Sequence, residues 1–419
     1  MISFGYQLLA SRNMKSFVIP EIYKSNIIGK IKEARRSKDK LKKDFTPTVL
    51  DFGSVKFLIA RHFGFCYGVE NAVEIAYKTI KENPDKRIFF LSEMIHNPDV
   101  NADLLSQGVQ FLMDTKGNQL IDWQELKPED AVVVPAFGTT IEIQQQLSLL
   151  GIDPYKYDTT CPFVEKVWNR AGQIGERGYS IVVHGKPKHE ETRATFSHSK
   201  QNAPTVVVND IKEAERLAKY ITRELPKEQF YIDFDGQYSE GFDPERDLER
   251  IGVVNQTTML ASDTQGIADY LKKVITEHHN AQPAEVERYF ANTRDTLCYA
   301  TNDNQEATYA LLQNEADLAV VVGGYNSSNT THLVELCEEK LPTFFIQSHE
   351  SILDKNLIKR YDLHKKQEIM SDFLSEKEKT TIMLTCGASC PDAVMEAVLL
   401  KILSFFNTTK EIDELLLAL

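Results

Sequence analysis

Short apolar runs alternate along this chain with longer stretches in which apolar residues return every three or four positions. Val55-Lys56-Phe57-Leu58-Ile59-Ala60 is the first clear run and predicts a strand. The turn Gly64-Phe65-Cys66-Tyr67-Gly68 follows, and then Val69, Ala72, Val73, Ala76, Tyr77 and Ile80 fall on one helical face. The unit repeats. Arg87-Ile88-Phe89-Phe90-Leu91 leads to Ile95-His96-Asn97-Pro98, and Ala131-Val132-Val133-Val134 leads to Phe137-Gly138-Thr139-Thr140. Tyr179-Ser180-Ile181-Val182-Val183 leads to His184-Gly185-Lys186, and Gly252-Val253-Val254 to Asn255-Gln256-Thr257-Thr258. Leu318-Ala319-Val320-Val321-Val322 leads to a turn through Ser327-Ser328-Asn329, and Thr381-Ile382-Met383-Leu384 to Thr385-Cys386-Gly387-Ala388-Ser389.

Apolar runs without polar alternation, each followed by an amphipathic helix, predict buried and largely parallel strands in an α/β fold. The polar residues collect just after the strands, at the carboxyl edge where α/β sheets bind ligands. The following helix starts aim backbone N–H groups at the same edge, which suits an anion. Cys66, Cys161 and Cys298 each sit in such a strand–turn–helix setting and divide the chain into three comparable segments. The expectation is three α/β units around one centre: 55–160, 161–297 and 298–405, with an N-terminal extension (1–54) and a C-terminal tail (406–419). The middle unit carries a polar insertion, 223–250, which reads as a surface elaboration.

Composition narrows the function. The chain has 419 residues, 42% hydrophobic and 26% charged, with a formal charge of −13. That charge argues against a broad nucleic-acid surface, and no apolar stretch approaches the ~18 uncharged residues of a membrane span. An anionic substrate would have to be met locally, in a dedicated pocket. The exception to the acidity is the stretch from Lys24 to Lys43, where basic residues dominate. It reads first as a solvated helical arm and second as a docking surface for an acidic partner. The first residues, with Arg12 and Lys15 and no acid before Glu21, weakly resemble an organellar transit segment that a start at Met14 would mostly remove.

Six cysteines in a chain this long, without a CxxC pair, do not make a disulfide scaffold. They suit thiols or metal ligands in a reducing compartment, cytoplasmic or, in a plant or alga, the plastid stroma. Cys337, at helical spacing with Leu333 and Leu336, reads as a core residue. Cys66 lies between glycines, Cys161 precedes Pro162, and Cys298 precedes a helix. A thiol at a helix start is biased toward thiolate, the metal-binding form. Cys386 and Cys390, spaced C-x3-C, compete with that set, and spacing alone leaves both open. His189-Glu190-Glu191-Thr192 is not a zinc motif, because HExxH would need a histidine where Arg193 stands. His96, His189, Gln256, Thr257, Ser327, Ser328, Asn329 and Ser389 are individually ordinary cap and turn residues. Together they offer many neutral donors at strand ends, in a chain with no Walker A and no GxGxxG motif.

Taken in order, Gly64-Phe65-Cys66-Tyr67-Gly68-Val69, Asp158-Thr159-Thr160-Cys161-Pro162, Asn255-Gln256-Thr257-Thr258, Asp295-Thr296-Leu297-Cys298-Tyr299-Ala300-Thr301, Ser327-Ser328-Asn329 and Gly387-Ala388-Ser389-x-Pro391-Asp392 form a specific set. Over roughly residues 55–405 the chain resembles the 4-hydroxy-3-methylbut-2-enyl diphosphate reductases of the non-mevalonate isoprenoid route. The resemblance implies a pseudo-threefold trefoil of three α/β domains around a 4Fe–4S cluster held by Cys66, Cys161 and Cys298, with Cys386 and Cys390 outside the ligand set. It implies Glu191 as the proton-relay acid and Thr257 as its partner. His96, His189, Gln256, Ser327, Ser328, Asn329 and Ser389 would hold the diphosphate. The implied reaction is reductive dehydroxylation to isopentenyl and dimethylallyl diphosphate, with electrons from a ferredoxin or flavodoxin. Two departures mark this chain. Phe137 stands where the bacterial form often has histidine, and His189-Glu190-Glu191 replaces His-Pro-Glu. Together with the extension and the insertion, they resemble the cyanobacterial and plastid branch. Rival readings are a three-cysteine cluster dehydratase such as quinolinate synthase, which needs no external electrons, a cluster-based redox sensor, which needs no acid or hydroxyl cage, and a plain phosphate-binding module.

Overall fold

The computed structural model describes residues 17–292, 296–375 and 377–419. The transit-like first residues, and Asp295 of the third cysteine's motif, lie outside them. Three α/β sheets make up the body, all parallel except for one antiparallel edge strand, Thr48–Asp51, in the third. In the first, Ile88–Phe90 is central, flanked in parallel by Gln110–Phe111 and Ala131–Val133. In the second, Ser180–His184 lies between Thr205–Val208 and Ile251–Asn255, again in parallel. The central strands of both are buried at every residue, as their unbroken apolar sequences require. The third sheet has five strands. Thr380–Cys386 lies between Leu318–Val322 and Val55–Ile59, with Thr343–Ile346 and Thr48–Asp51 at the edges.

That third sheet corrects the expected unit boundaries. Val55–Ile59, assigned above to the first unit, pairs in parallel with Thr380–Cys386, with Val55 opposite Thr380 and Ile59 opposite Leu384. Its side chains pack in the core of the third unit, where Phe57 and Ile59 are fully buried beside Val320 and Leu384. The first strand of the predicted pattern thus belongs to the third unit, and the helix after Cys66 carries the chain on into the first.

The extension is likewise not a solvated arm. The helix Asn26–Lys38 buries Ile28 and Ile31 in the third unit's core. Lys32 Nζ meets Asp392 Oδ1 at 2.6 Å, and the Ile27 amide donates to Glu396. Just before it, Tyr23 packs in the first unit's core and bonds Tyr77 and Asp103. The segment is a strap across two units, because its isoleucines bury one face while its lysines and arginines solvate the other. The tail also packs, with Leu415 and Leu416 resting against the third core.

The insertion is an extension of the second core rather than a surface elaboration. Phe230, Phe234 and Phe242 are buried with Tyr220, and the Phe230 ring stacks on Phe234 at 5.1 Å and on Phe242 at 5.2 Å. Asp235 and Glu240 between them are exposed, and the run of acids hid this pattern. Phe230→Ala is expected to destabilise the protein by about 3–5 kcal/mol, the usual loss for a buried aromatic. A chemical-denaturation midpoint unchanged from wild type would return the insertion to the surface.

Candidate active site

Each of the three sequence-selected cysteines is the residue immediately before a long helix. Cys66 caps Tyr67–Glu82, Cys161 caps Pro162–Glu176, and Cys298 caps Tyr299–Leu311. Pro162 at the first helical position needs no amide partner and fixes the chain's entry. Cys298 Sγ takes the role a serine or threonine usually has in a cap, accepting from the Thr301 amide at 3.3 Å, and the Thr301 hydroxyl lies 3.0 Å away. Thr301 escaped the sequence reading, although a cap residue followed three positions later by a hydroxyl is a recognisable pattern.

The three thiols gather around a single cavity of about 90 Å³. Its wall also carries His96, Phe137, His189, Glu191, Thr257 and Asn329, and Ser327, Ser328 and Ser389 complete the far side. Residues from all three units meet there. Of the predicted set only Gln256 is absent from the wall. It is fully buried behind it, accepting from the Lys186 amide and the Thr192 hydroxyl and donating to Thr258 and Ser328. A larger cleft of about 540 Å³, lined by Thr264, Gln265, Asp269 and Lys272, lies elsewhere and contains none of this chemistry.

Burial governs the ionisation of the thiols. It pushes Cys66 and Cys161 up to about 11 and Cys298 up to about 12. Each is raised further by the next: Cys66 by Cys161, Cys161 by Cys298, Cys298 by Cys66. The helix amides do pull the other way, as expected at a helix start, but they lose to desolvation. The expected thiolate bias is therefore reversed in the protein alone.

The same ring fits an iron–sulfur cluster. The donors are three soft sulfurs, each backed by the amides of a helix N-terminus that offset the charge of an anionic centre. Among the described residues no three His, Cys, Asp or Glu side chains group closely enough to hold a lone metal ion. The thiols instead ring a space. That space is kept open by Gly68, where a Cβ would come within 2.5 Å of Cys161 Sγ. Cys337, Cys386 and Cys390 are fully buried in the third core and off the cavity, although Ala388 and Ser389 between the last two line it.

Two adjacent carboxylates behave differently. Glu191 lines the cavity and is 1% exposed. Burial raises its carboxyl to about 7, against the amide of Thr257, which donates to Oε1 at 2.5 Å. Thr257 thus orients the acid through its main chain. Glu190 points away from the cavity, to Ser92 and His96.

Opposite the thiols stands a set of donors. His189 precedes the helix Glu190–Ser199, and its Nδ1 accepts from the Glu191 amide at 3.2 Å, which leaves the hydrogen on Nε2. Burial, and then the neighbouring His96, holds its ring well below the ordinary histidine range, so it is a neutral donor. Ser327 caps Ser328–Glu338, whose first turn faces the cavity. Asn329 Oδ1 accepts from the Ala388 amide at 2.9 Å, while its buried Nδ2 has no partner among the described residues. A buried donor left unpaired is costly unless a ligand takes it. Phe137 stacks on His96, 4.2 Å between centroids and 27° between planes, and contributes no donor.

The model of the LytB protein family matches residues 57–403. A 4-hydroxy-3-methylbut-2-enyl diphosphate reductase of Cyanothece sp. is 39% identical over 359 residues, covering 85% of this chain and 86% of its own length. One from Prochlorococcus marinus is 36% identical over 405 residues, covering 96% and 95%. Among solved structures, the E-1-hydroxy-2-methyl-but-2-enyl-4-diphosphate reductase of Plasmodium falciparum shares the fold at a TM-score of 0.57 and 19% identity, covering 82% of this chain and 86% of that one. The chain belongs to the LytB family, the 4-hydroxy-3-methylbut-2-enyl diphosphate reductases.

Proposed function

We propose that this cavity carries out the family's reaction, removing the hydroxyl of 4-hydroxy-3-methylbut-2-enyl diphosphate with two electrons and two protons to give isopentenyl and dimethylallyl diphosphate. The observation that carries the assignment is the convergence of three helix-capping thiols, one buried protonatable acid and the unpaired Asn329 Nδ2 on one space. Cys66, Cys161 and Cys298 hold the 4Fe–4S cluster. When bound, the cluster supplies the electrons and, at the iron left without a cysteine, a Lewis acid for the hydroxyl.

The rest falls to the chain. The Asn329 amide, the Ser327 and Ser389 hydroxyls, His189 Nε2–H and the first turn of Ser328–Glu338 hold the diphosphate and so fix where the hydroxyl sits. Hydroxide is a poor leaving group, and Glu191, raised to about 7 by burial, keeps a proton at neutral pH to release it as water. Ile95, Val69 and Val164 make that end of the wall apolar and limit competing water. Asn329→Asp is expected to raise KM by an amount equivalent to about 1.5–3 kcal/mol, since it keeps the bond from Ala388 but sets an anion against the diphosphate. Iron content should stay at the wild-type level, and an unchanged KM would remove Asn329 from the cage.

The electron donor is proposed to be a small acidic carrier such as a ferredoxin or flavodoxin. Arg36, Lys40, Lys42 and Lys43 on the strap make no ion pair among the described residues. Burial raises the carboxyls of Glu70 and Asp303, on the helices after Cys66 and Cys298, and the strap's cations oppose that rise from nearby, Arg36 and Lys42 at Glu70 and Lys42 at Asp303. Reversing Arg36, Lys40 and Lys43 to Glu should raise KM for ferredoxin about tenfold at low salt and leave turnover with reduced methyl viologen intact. Equal rates with ferredoxin would place docking elsewhere.

The direct test is anaerobic oxidation of reduced methyl viologen by reconstituted protein on adding the diphosphate substrate. Substrate-dependent oxidation is expected. An intact cluster that binds substrate yet oxidises nothing would favour a dehydratase or a sensor.

A further inference from the structure

Glu190 stands beside the acid and is unused in the reaction as derived. Its side chain is 4% exposed but takes no part in the cavity wall. A carboxylate withdrawn from water this far needs partners that repay its desolvation. Both come from the first unit, across the seam from the helix that carries Glu190: Oε1 accepts from Ser92 Oγ, and Oε2 lies 2.7 Å from His96 Nε2. The like charge of Glu93 and the guanidinium of Arg193 are the other charged groups that reach it.

The grip on His96 is close to complete. Its main-chain carbonyl accepts from Ser389 Oγ at 3.0 Å. Phe137 covers one face of the ring, and His189 meets it edge-on at 5.0 Å. A carboxylate only accepts, so the hydrogen of the 2.7 Å contact belongs to Nε2. That leaves Nδ1, which has no partner among the described residues, as the free polar atom of a ring that lines the cavity. For Nδ1 to donate to a diphosphate it must carry a hydrogen too. The ring then lies between Glu190 and the diphosphate, held through one nitrogen and offering the other. Phe137 has no donor to offer, so of the three aromatic rings in the wall only His96 and His189 can bond a diphosphate.

We propose that Glu190 is the positioning residue of His96: it fixes the ring by Nε2, turns Nδ1 on the diphosphate, and ties diphosphate binding to the seam between the first and second units. This rests on the reading of the cavity as the diphosphate site. It differs from that reading in assigning a function to the residue that stands in place of proline in the His-Pro-Glu pattern. The pair corresponds in logic to a carboxylate that orients a ligating histidine, where loss of the carboxylate typically weakens binding about 10–100-fold.

The test uses reconstituted holoenzyme, with inorganic diphosphate as the calorimetric probe and viologen-driven turnover as the kinetic one. Glu190→Gln should weaken diphosphate binding and raise KM about tenfold or more, with iron content unchanged and kcat within about threefold. His96→Gln should do the same, and the double variant should be no worse than His96→Gln alone, because Glu190 acts through that ring. Glu190→Asp keeps the charge but withdraws it, and serves where the glutamine variant does not fold. Wild-type diphosphate affinity in either Glu190 variant, or additive losses in the double, overturns the proposal. A collapse of kcat at constant KM would overturn it as well, and would make Glu190 the acid. Wild-type holoenzyme that binds diphosphate in the expected His96- and Glu190-dependent way but never oxidises viologen would sink the reductase reading and leave this one standing.

Discussion

Glu191→Gln is expected to keep the iron content and visible absorption of the reconstituted enzyme while kcat falls about 10²–10⁴-fold, the usual contribution of a positioned general acid. The substitution is close to isosteric. A glutamine oxygen can still accept the Thr257 amide that Glu191 Oε1 accepts now, so the local backbone keeps its partner. What disappears is a transferable proton. Burial disfavours the carboxylate and moves the carboxyl up to about 7, with the Thr257 amide opposing the shift and losing. The group is therefore partly protonated at neutral pH and can release its proton without leaving a prohibitively unstable anion. KM should change little, because Glu191 stands beside the thiols, close enough to Cys161 and Cys298 for its charge to act on both. Near-full turnover in the variant would move the acid elsewhere, with Glu190 the first place to look.

Much of this arrangement was legible along the chain, for physical reasons. The strand–turn–helix alternation is a local signal, and the cap position of each cysteine follows from what immediately succeeds it, as with Pro162 after Cys161. The core reading of Cys337 also depended only on helical spacing, and the residue is fully buried. What failed was non-local. Val55–Ile59 looks like the start of the first unit because its sequence neighbours are there, but a parallel strand finds its partner through a crossover and this one pairs with Thr380–Cys386. The strap looked solvated because its charges outnumber Ile28 and Ile31, and two well-placed isoleucines suffice to dock a short helix. The insertion's phenylalanines were diluted by acids that face water. The thiol ionisation was misjudged because helix amides are visible in a sequence and depth of burial is not. The separation of Glu190 from Glu191 is the sharpest case. They are the same residue type at adjacent positions, and only the helix geometry, which turns neighbouring side chains about 100° apart, sends one to the cavity and the other to His96.

Cys161→Ser is expected to abolish substrate-dependent viologen oxidation and to reduce cluster iron sharply, while Cys337→Ala leaves both near wild type. An alkoxide is a harder and far more basic ligand than a thiolate, so serine does not replace a soft donor to iron. The apoprotein already holds these three thiols protonated by burial and mutual proximity, so cluster assembly has to displace three protons. Losing one of three ligands removes the compensation for the other two. Cys337 offers the internal control, being fully buried, raised to about 12, and absent from the cavity wall. Gly68→Ala separates ligand chemistry from space. It leaves every sulfur in the chain but sets a methyl about 2.5 Å from Cys161 Sγ, closer than any real contact, with the Cys161 Cβ also within 3.2 Å. Either the helix after Cys66 or the Cys161 cap must shift, so iron loading should fall here too, with secondary structure retained. Full iron occupancy and turnover in Gly68→Ala would mean that the ring of thiols has more freedom than its packing allows. Loss of iron in Cys337→Ala would break the ligand assignment itself, because nothing about that side chain's surroundings lets it reach the cavity.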